Sequence, residues 1–244
     1  MVNVFAPNGI QDLGRREGGS PQFGMTRVNV GSSDVTPIFK GDIVQNIGYL
    51  PVSGGFGKYV TQASSGLASP AAAYEGVFQG CEYLNTNVGR VVWSNFWPGA
   101  AGAGSPTVDA IAYIDNDPSK YFIAQASTTA TSSGVTAIFT SSMIGYNVQV
   151  GSTGTGAVSS AAGNTTSGFS GICILSSISA LSSTANNSSY PFRLIDFYGS
   201  SLPNQQGYVP GGGFVNGTDN GNAGQILVLT PNPTGWMPTS SGAW

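Results

Sequence analysis

Histidine is absent from this chain of 244 residues, and ionised side chains are scarce. There are 8 Lys and Arg against 11 Asp and Glu, or 8% of residues, where an ordinary soluble protein has roughly 25%. Without histidine the commonest general base and the commonest metal ligand are missing. Ser-His-Asp and Cys-His arrangements are excluded outright. Two cysteines, Cys81 and Cys173, are too few for a Cys-rich zinc site. No Gly-x-x-x-x-Gly-Lys-Ser/Thr phosphate loop occurs either. The sequence therefore predicts no catalytic, cofactor-binding or metal-binding residues, and no enzyme.

Other absences exclude partners. Eight scattered cations in a chain of pI about 4.6 cannot neutralise a nucleic-acid backbone. No run of about 18 apolar residues is present, so no membrane-spanning helix is predicted. The N-terminal stretch MVNVFAPNGI has neither a basic region nor a long apolar one, and no secretory signal is expected. The cysteines leave a disulfide or two buried free thiols as alternatives, with buried thiols the expectation.

What the chain does have is glycine, 36 copies, with abundant Ser, Thr and Asn beside a 40% hydrophobic and 11% aromatic content. That is enough apolar material for a core, and too little net charge for disorder of the highly charged kind. Short β-branched and aromatic runs alternate with Gly, Pro and Asn clusters. Strands are predicted around Thr26–Val30, on both sides of the Gly41-Asp42 turn in Ile38–Val44, and at Tyr74–Tyr83 and Gly89–Trp97 around Asn85–Asn87. Asp109–Ile114 and Tyr121–Ala126, flanking Asp115–Ser119, read as a hairpin-like pair. Gly171–Leu175, Pro191–Ile195 and Gln225–Leu229 are further strands, while Ser176–Ser189 has only weak helical spacing. The expected fold is all-β, a β-sandwich or barrel (jelly-roll-like) with extended N- and C-terminal arms. Its expected divisions are an arm over 1–35, a β-rich domain over 36–126, a charge-poor β region over 127–200 and a Gly/Pro-rich extension over 201–244.

Charge is distributed unevenly. Sixteen of the 19 charged residues precede Tyr121, and none lies between Tyr121 and Phe192. Charge is a common guard against edge-to-edge association, so this stretch is the first expected place for subunit contacts. Tyr146 and Phe169 are its candidate contact residues, with Trp236 and Trp244 as candidate anchors on the tail.

Three constellations bear on chemistry. Asp115-Asn116-Asp117 offers hard oxygen ligands, but Pro118 follows and no Glu closes a calcium loop, so a polar turn capped by Asp side chains is expected. Glu75 with Glu82 or Asp109 is the remaining carboxylate pair for glycoside hydrolysis. Plain strand alternation puts Glu75 and Glu82 on opposite faces. Trp93 and Trp97 suit sugar stacking, yet at a strand end they read as core and rim.

The order of motifs resembles the capsid decoration, or cement, proteins of tailed bacteriophages. The matching features begin with Asn3–Ile10, Arg15-Arg16 and Gly18-Gly19, then Ile38–Val44. Gly76–Tyr83 with Ser94–Gly99 follows, then Ala112–Ile114, Asp117-Pro118, Phe122–Gln125 and Phe192–Ile195. The match spans about residues 1–200 and leaves 201–244 without a counterpart. The resemblance implies a β-rich virion protein, a homotrimer, made in the host bacterial cytoplasm and bound to the outer capsid surface. There it would hold adjacent capsomers of the major capsid protein together, with no cofactor. It adds Phe5, Arg15 and Arg16 to the candidate contact residues. Cementing draws on many weak contacts repeated over a symmetric shell, and neutral surfaces are little affected by salt. The alternative from a different class is a carbohydrate-binding fibre or receptor module, and the third reading is an Asp/Glu hydrolase.

Overall fold

The computed structural model describes residues 8–15, 24–52, 55–63, 74–126, 143–148, 150–151, 163–174, 190–198 and 226–232. Within them the protein is all-β, built from a small closed barrel and an antiparallel sheet.

The barrel uses β2 (Thr26–Val30), β4 (Ile43–Val52), β5 (Gly55–Gln62), β6 (Tyr74–Asn85) and β9 (Ala110–Asp115). They pair in the order β4-β5-β2-β9-β6, and β6 returns to β4. Only β2–β5 is parallel. Period-two alternation aims Val28 and Val30 inward, where they meet Ala110, Ala112 and Ile114 from β9. Val44, Val60, Phe78, Cys81 and Tyr83 fill the rest, with Trp97 fully buried among them. Five strands enclose little space, which suits the alanines of β9. β7 (Arg90–Ser94) extends the wall by pairing with β6 through the Asn85–Gly89 turn. β3 (Ile38–Phe39) and β8 (Phe96–Trp97) form a short ribbon, in which Phe39 and Phe96 stack at 5.4 Å. One helical turn, α1 (Gly99–Gly102), follows.

The second sheet takes β1 (Gln11–Arg15), β10 (Lys120–Gln125), β15 (Ile226–Pro231), β14 (Phe192–Phe197) and β11 (Asn147–Val148) in the order β1-β10-β15-β14-β11. β12 (Val150–Gly151) and β13 (Cys173–Ile174) form a separate ribbon. Phe122, Ala124, Phe192, Leu194, Leu227 and Leu229 face Ile43, Tyr74 and Val77 on the outside of the barrel. This second core, between barrel and sheet, joins the two layers. Both cysteines are buried with no disulfide between them, and burial pushes the Cys81 thiol up to about 12.

Three expectations change. Asp109–Ile114 and Tyr121–Ala126 do not form a hairpin, because β9 closes the barrel while β10 crosses into the other sheet and pairs with β1 and β15. Apolar alternation marked both as strands, but short loops need not join strands that pair. The strand expected within the N-terminal arm, β2, is a barrel wall between β5 and β9. β15, expected on the C-terminal extension, lies centrally between β10 and β14 with Leu227 and Leu229 fully buried. Apolar side chains of β2 and β15 find cores, so these two strands are integral to the fold. The weak helical spacing at Ser176–Ser189 lies outside the described residues.

Candidate functional site

The Gly41-Asp42 turn lies at the junction of barrel, ribbon and second core. The Asp42 carboxylate is buried and accepts hydrogen bonds from the Phe39 N–H at 2.8 Å, the Gln62 amide at 2.8 Å and the Ser170 hydroxyl. Desolvation pushes its pKa up to about 6, against the opposing pull of those three donors. Around it the backbone is closed by Gly41 N–H to the Phe78 carbonyl, Phe78 N–H to the Asp42 carbonyl and Ile10 N–H to the Gly41 carbonyl, at 2.8, 2.8 and 3.0 Å. One carboxylate thus gathers β3, β5 and the segment 163–170. Both of its oxygens are committed to protein donors.

A second polar centre spans the β9–β10 crossing. The Lys120 ammonium lies between Asp12 on β1 and Asp115 on β9, and Arg15 pairs with Asp117 at 2.9 Å. Burial depresses the Lys120 ammonium, but its bonds to Asp115 and Asp12 outweigh this and hold it above the usual lysine range. Asp115 is raised by burial in spite of Lys120. The Asp117 N–H bonds Asp115 Oδ1 at 3.3 Å, and the Ser119 N–H bonds Asp117 Oδ1 at 2.8 Å. This is the polar turn expected at Asp115–Ser119. Its carboxylates are occupied by cations and backbone donors, and no cluster of three metal-ligating side chains occurs among the described residues.

The carboxylates considered for hydrolysis are dispersed into separate partnerships. Glu75 pairs with Lys58 and accepts from the Asn46 amide at 3.4 Å. Glu82 accepts from the Tyr113 hydroxyl at 2.9 Å. Asp109 accepts from the Tyr59 hydroxyl and the Ser32 N–H; although burial raises it, these bonds hold it below the usual range. That bond is also the main cause pushing the Tyr59 phenol up to about 12. The expected strict alternation from Glu75 to Glu82 does not hold, because β6 is interrupted by register shifts beside Glu75 and between Phe78 and Gly80.

Among the contact candidates, Arg15 is committed to the Asp117 pair. Tyr146 is half-buried and packs on the core between the layers. Phe169 is half-buried, bridges Lys40 through the backbone and lies 5.8 Å beneath the Lys40 ammonium. Phe5, Arg16, Trp236 and Trp244 lie outside the described residues. Trp97 is fully buried, edge-on to Tyr83 at 5.4 Å, with its indole N–H on the Asp34 carbonyl at 3.1 Å, so it cannot stack on a sugar. Trp93 is 55% exposed and tilts over Tyr113 at 5.0 Å. Core and rim are thus their positions.

One surface escaped the sequence reading. β4 and β5 stay paired from Val44↔Gln62 to Val52↔Gly55, while β4 meets β6 only through Ile43–Gln45 and β5 meets β2 only at Tyr59. Among the described residues, the remainder of the hairpin pairs its backbone with no further strand. Ile47, Tyr49 and Leu50 on it are exposed. The signal available was the apolar alternation Ile47-Gly48-Tyr49-Leu50 ahead of Gly54-Gly55. Compared with family models, with curated proteins and with solved structures, the chain shows no significant match to any of the three.

Proposed function

We propose that this chain is a capsid decoration protein. It binds the outer surface of a tailed-phage head as a trimer and reinforces contacts between capsomers of the major capsid protein. The observation that carries this reading is the inward commitment of charge. Arg15, Lys58, Lys120, Asp12, Glu75, Asp115 and Asp117 are paired with one another, and Asp42 is buried. Eight of the 19 charged residues are committed in this way. In a chain only 8% charged this thins the surface charge further, which lowers the desolvation cost of close association. A protein that works by repeated modest contacts needs such a surface. The motif order of residues 1–200 supplies the class of partner.

The β4–β5 hairpin is the first element to test. Purified chain added to phage heads lacking it is expected to bind them and raise the temperature at which they release DNA. Tyr49→Asp with Leu50→Asp is expected to weaken that binding at least about tenfold, since each charge would be desolvated in the contact. Both residues are exposed, so the variant's own melting temperature is expected to stay within about 2 °C. Heads that ignore the native chain, or are equally robust without it, overturn the proposal. Co-sedimentation and thermal release assays read both outcomes.

A further inference from the structure

A shallow groove of about 270 Å³ runs along the β7–β8 edge, lined by Trp93, Ser94, Asn95, Phe96 and the turn Thr166–Gly168. We propose that it binds a neutral saccharide, with Trp93 as the stacking platform and Asn95 and Thr166 as polar contacts. This site is independent of the capsid reading, which makes no use of it.

The platform is built rather than incidental. The Trp93 ring sits close against residue 80, which has no side chain. A Cβ there would meet Trp93 Cζ2 at 3.0 Å and the Ser94 carbonyl oxygen at 3.0 Å, and the backbone has φ +151°. Tyr113 supports the ring from one side, and the Glu82 carboxylate fixes the Tyr113 hydroxyl. One broad face of an aromatic ring, rigidly held and open to solvent, suits the apolar face of a pyranose.

The opposite wall is equally fixed. Asn164 Oδ1 accepts from the Thr166 and Ser167 N–H groups at 2.8 and 3.2 Å, and the Gly168 N–H bonds the Asn164 carbonyl at 2.7 Å. Gly168, at φ +75°, packs on Asn95, where a Cβ would approach Asn95 Cβ to 2.7 Å. The turn is also tied to the barrel ribbon by the Lys40 N–H to the Gly168 carbonyl at 2.9 Å. Asn95 and Thr166 are exposed, and their side chains take no hydrogen-bond partner among the described residues.

The lining selects the ligand class. It contains no Lys or Arg to pair with a phosphate or carboxylate, and no Asp or Glu to hold a cation. Its hydroxyls and amide disfavour a wholly apolar ligand, which would leave them unpaired. An aromatic face beside neutral donors and acceptors matches a molecule with one apolar face and a hydroxylated rim.

The test titrates the full chain with maltotriose, cellotriose and N,N′,N″-triacetylchitotriose by calorimetry and tryptophan fluorescence. Saturable binding of at least one, with a Kd in the millimolar range, is expected. Trp93→Ala is expected to weaken it at least about tenfold, and Trp93→Phe to restore part of the loss. Asn95→Trp fills the groove from an exposed position, keeps the fold, and is expected to abolish binding. No saturation by any of the three at about 10 mM overturns the proposal, as does binding that survives Asn95→Trp or a folded Trp93→Ala.

Discussion

Asp42→Ala is expected to destabilise the protein by about 3–5 kcal/mol, with a fall in melting temperature on the order of 10 °C. Truncation leaves the Phe39 N–H, the Gln62 amide and the Ser170 hydroxyl facing an empty, buried position. Each unpaired buried donor costs about 1–3 kcal/mol. Asp42→Asn provides the contrast. Its oxygen replaces Oδ2, which receives Phe39 and Gln62, and its NH₂ points to Ser170 Oγ, which accepts. The expected cost is therefore only about 1 kcal/mol. Urea denaturation of the three proteins measures the series, and equal losses for Ala and Asn would contradict the carboxylate's role as an acceptor hub.

The same residue gives a signed pH dependence. Its folded pKa of about 6 lies above the ordinary 3.8. The folded chain therefore holds this proton more tightly than the unfolded chain does. The group's favourable contribution is complete below pH 3.8 and is lost as pH rises through 6. In Asp42→Asn that component of the slope disappears. Denaturation midpoints between pH 4 and 7, compared for the two proteins, isolate it from the carboxylates at Asp109 and Asp117. Those are lowered and act in the opposite direction, losing stability as pH falls.

Lys120→Met is the second large effect, about 3–5 kcal/mol of destabilisation at neutral pH. The methionine fills most of the volume, so the loss is electrostatic. Asp115, with 3% side-chain exposure, is left as a buried carboxylate without its cation, while Asp12, at 36%, remains hydrated. Burial already raises Asp115, and removing Lys120 takes away the main opposing influence. The variant's deficit is therefore expected to shrink as pH falls and Asp115 takes up a proton. A double variant, Lys120→Met with Asp115→Leu, removes both buried charges and is expected to recover about 2 kcal/mol of the loss. Failure of both low pH and the double variant to recover stability would show that Lys120 acts through packing alone. The site matters because Lys120 and Asp12 belong to the sheet and Asp115 to the barrel, so this cluster fastens one layer to the other.

The sequence read well wherever a local pattern suffices. Alternation in Thr26–Val30, the apolar runs around Gly41-Asp42, and the two strands flanking Asn85–Asn87 all became paired strands at those positions. The Asp-rich turn before Lys120 read as a capped turn because its side chains bond their own backbone two residues on. Partner choice did not read. Nothing local in Asp109–Ala126 says that β9 joins the barrel and β10 the sheet, or that β15, about 100 residues later, pairs with β10. Such pairings arise from which apolar faces can share a core. The sequence marked Trp93 as a possible stacking residue, but not which of Trp93 and Trp97 is exposed, nor that the hairpin is; exposure depends on what does not pack against a residue.

By itself, then, the sequence determined chemistry and class. The absence of histidine excludes His-dependent chemistry, and short alternating runs determined an all-β chain. The tertiary structure decided where the few charges went. What the sequence showed as depletion in the second half, the fold turns into inward pairing in the first. Lys120, Asp115 and Asp12 are far from one another along the chain or on different layers, yet they form one cluster around a buried Lys120–Asp115 pair. The physical reason is that composition fixes which groups exist, whereas burial and pairing depend on contacts between segments that only the closed barrel and its facing sheet bring together.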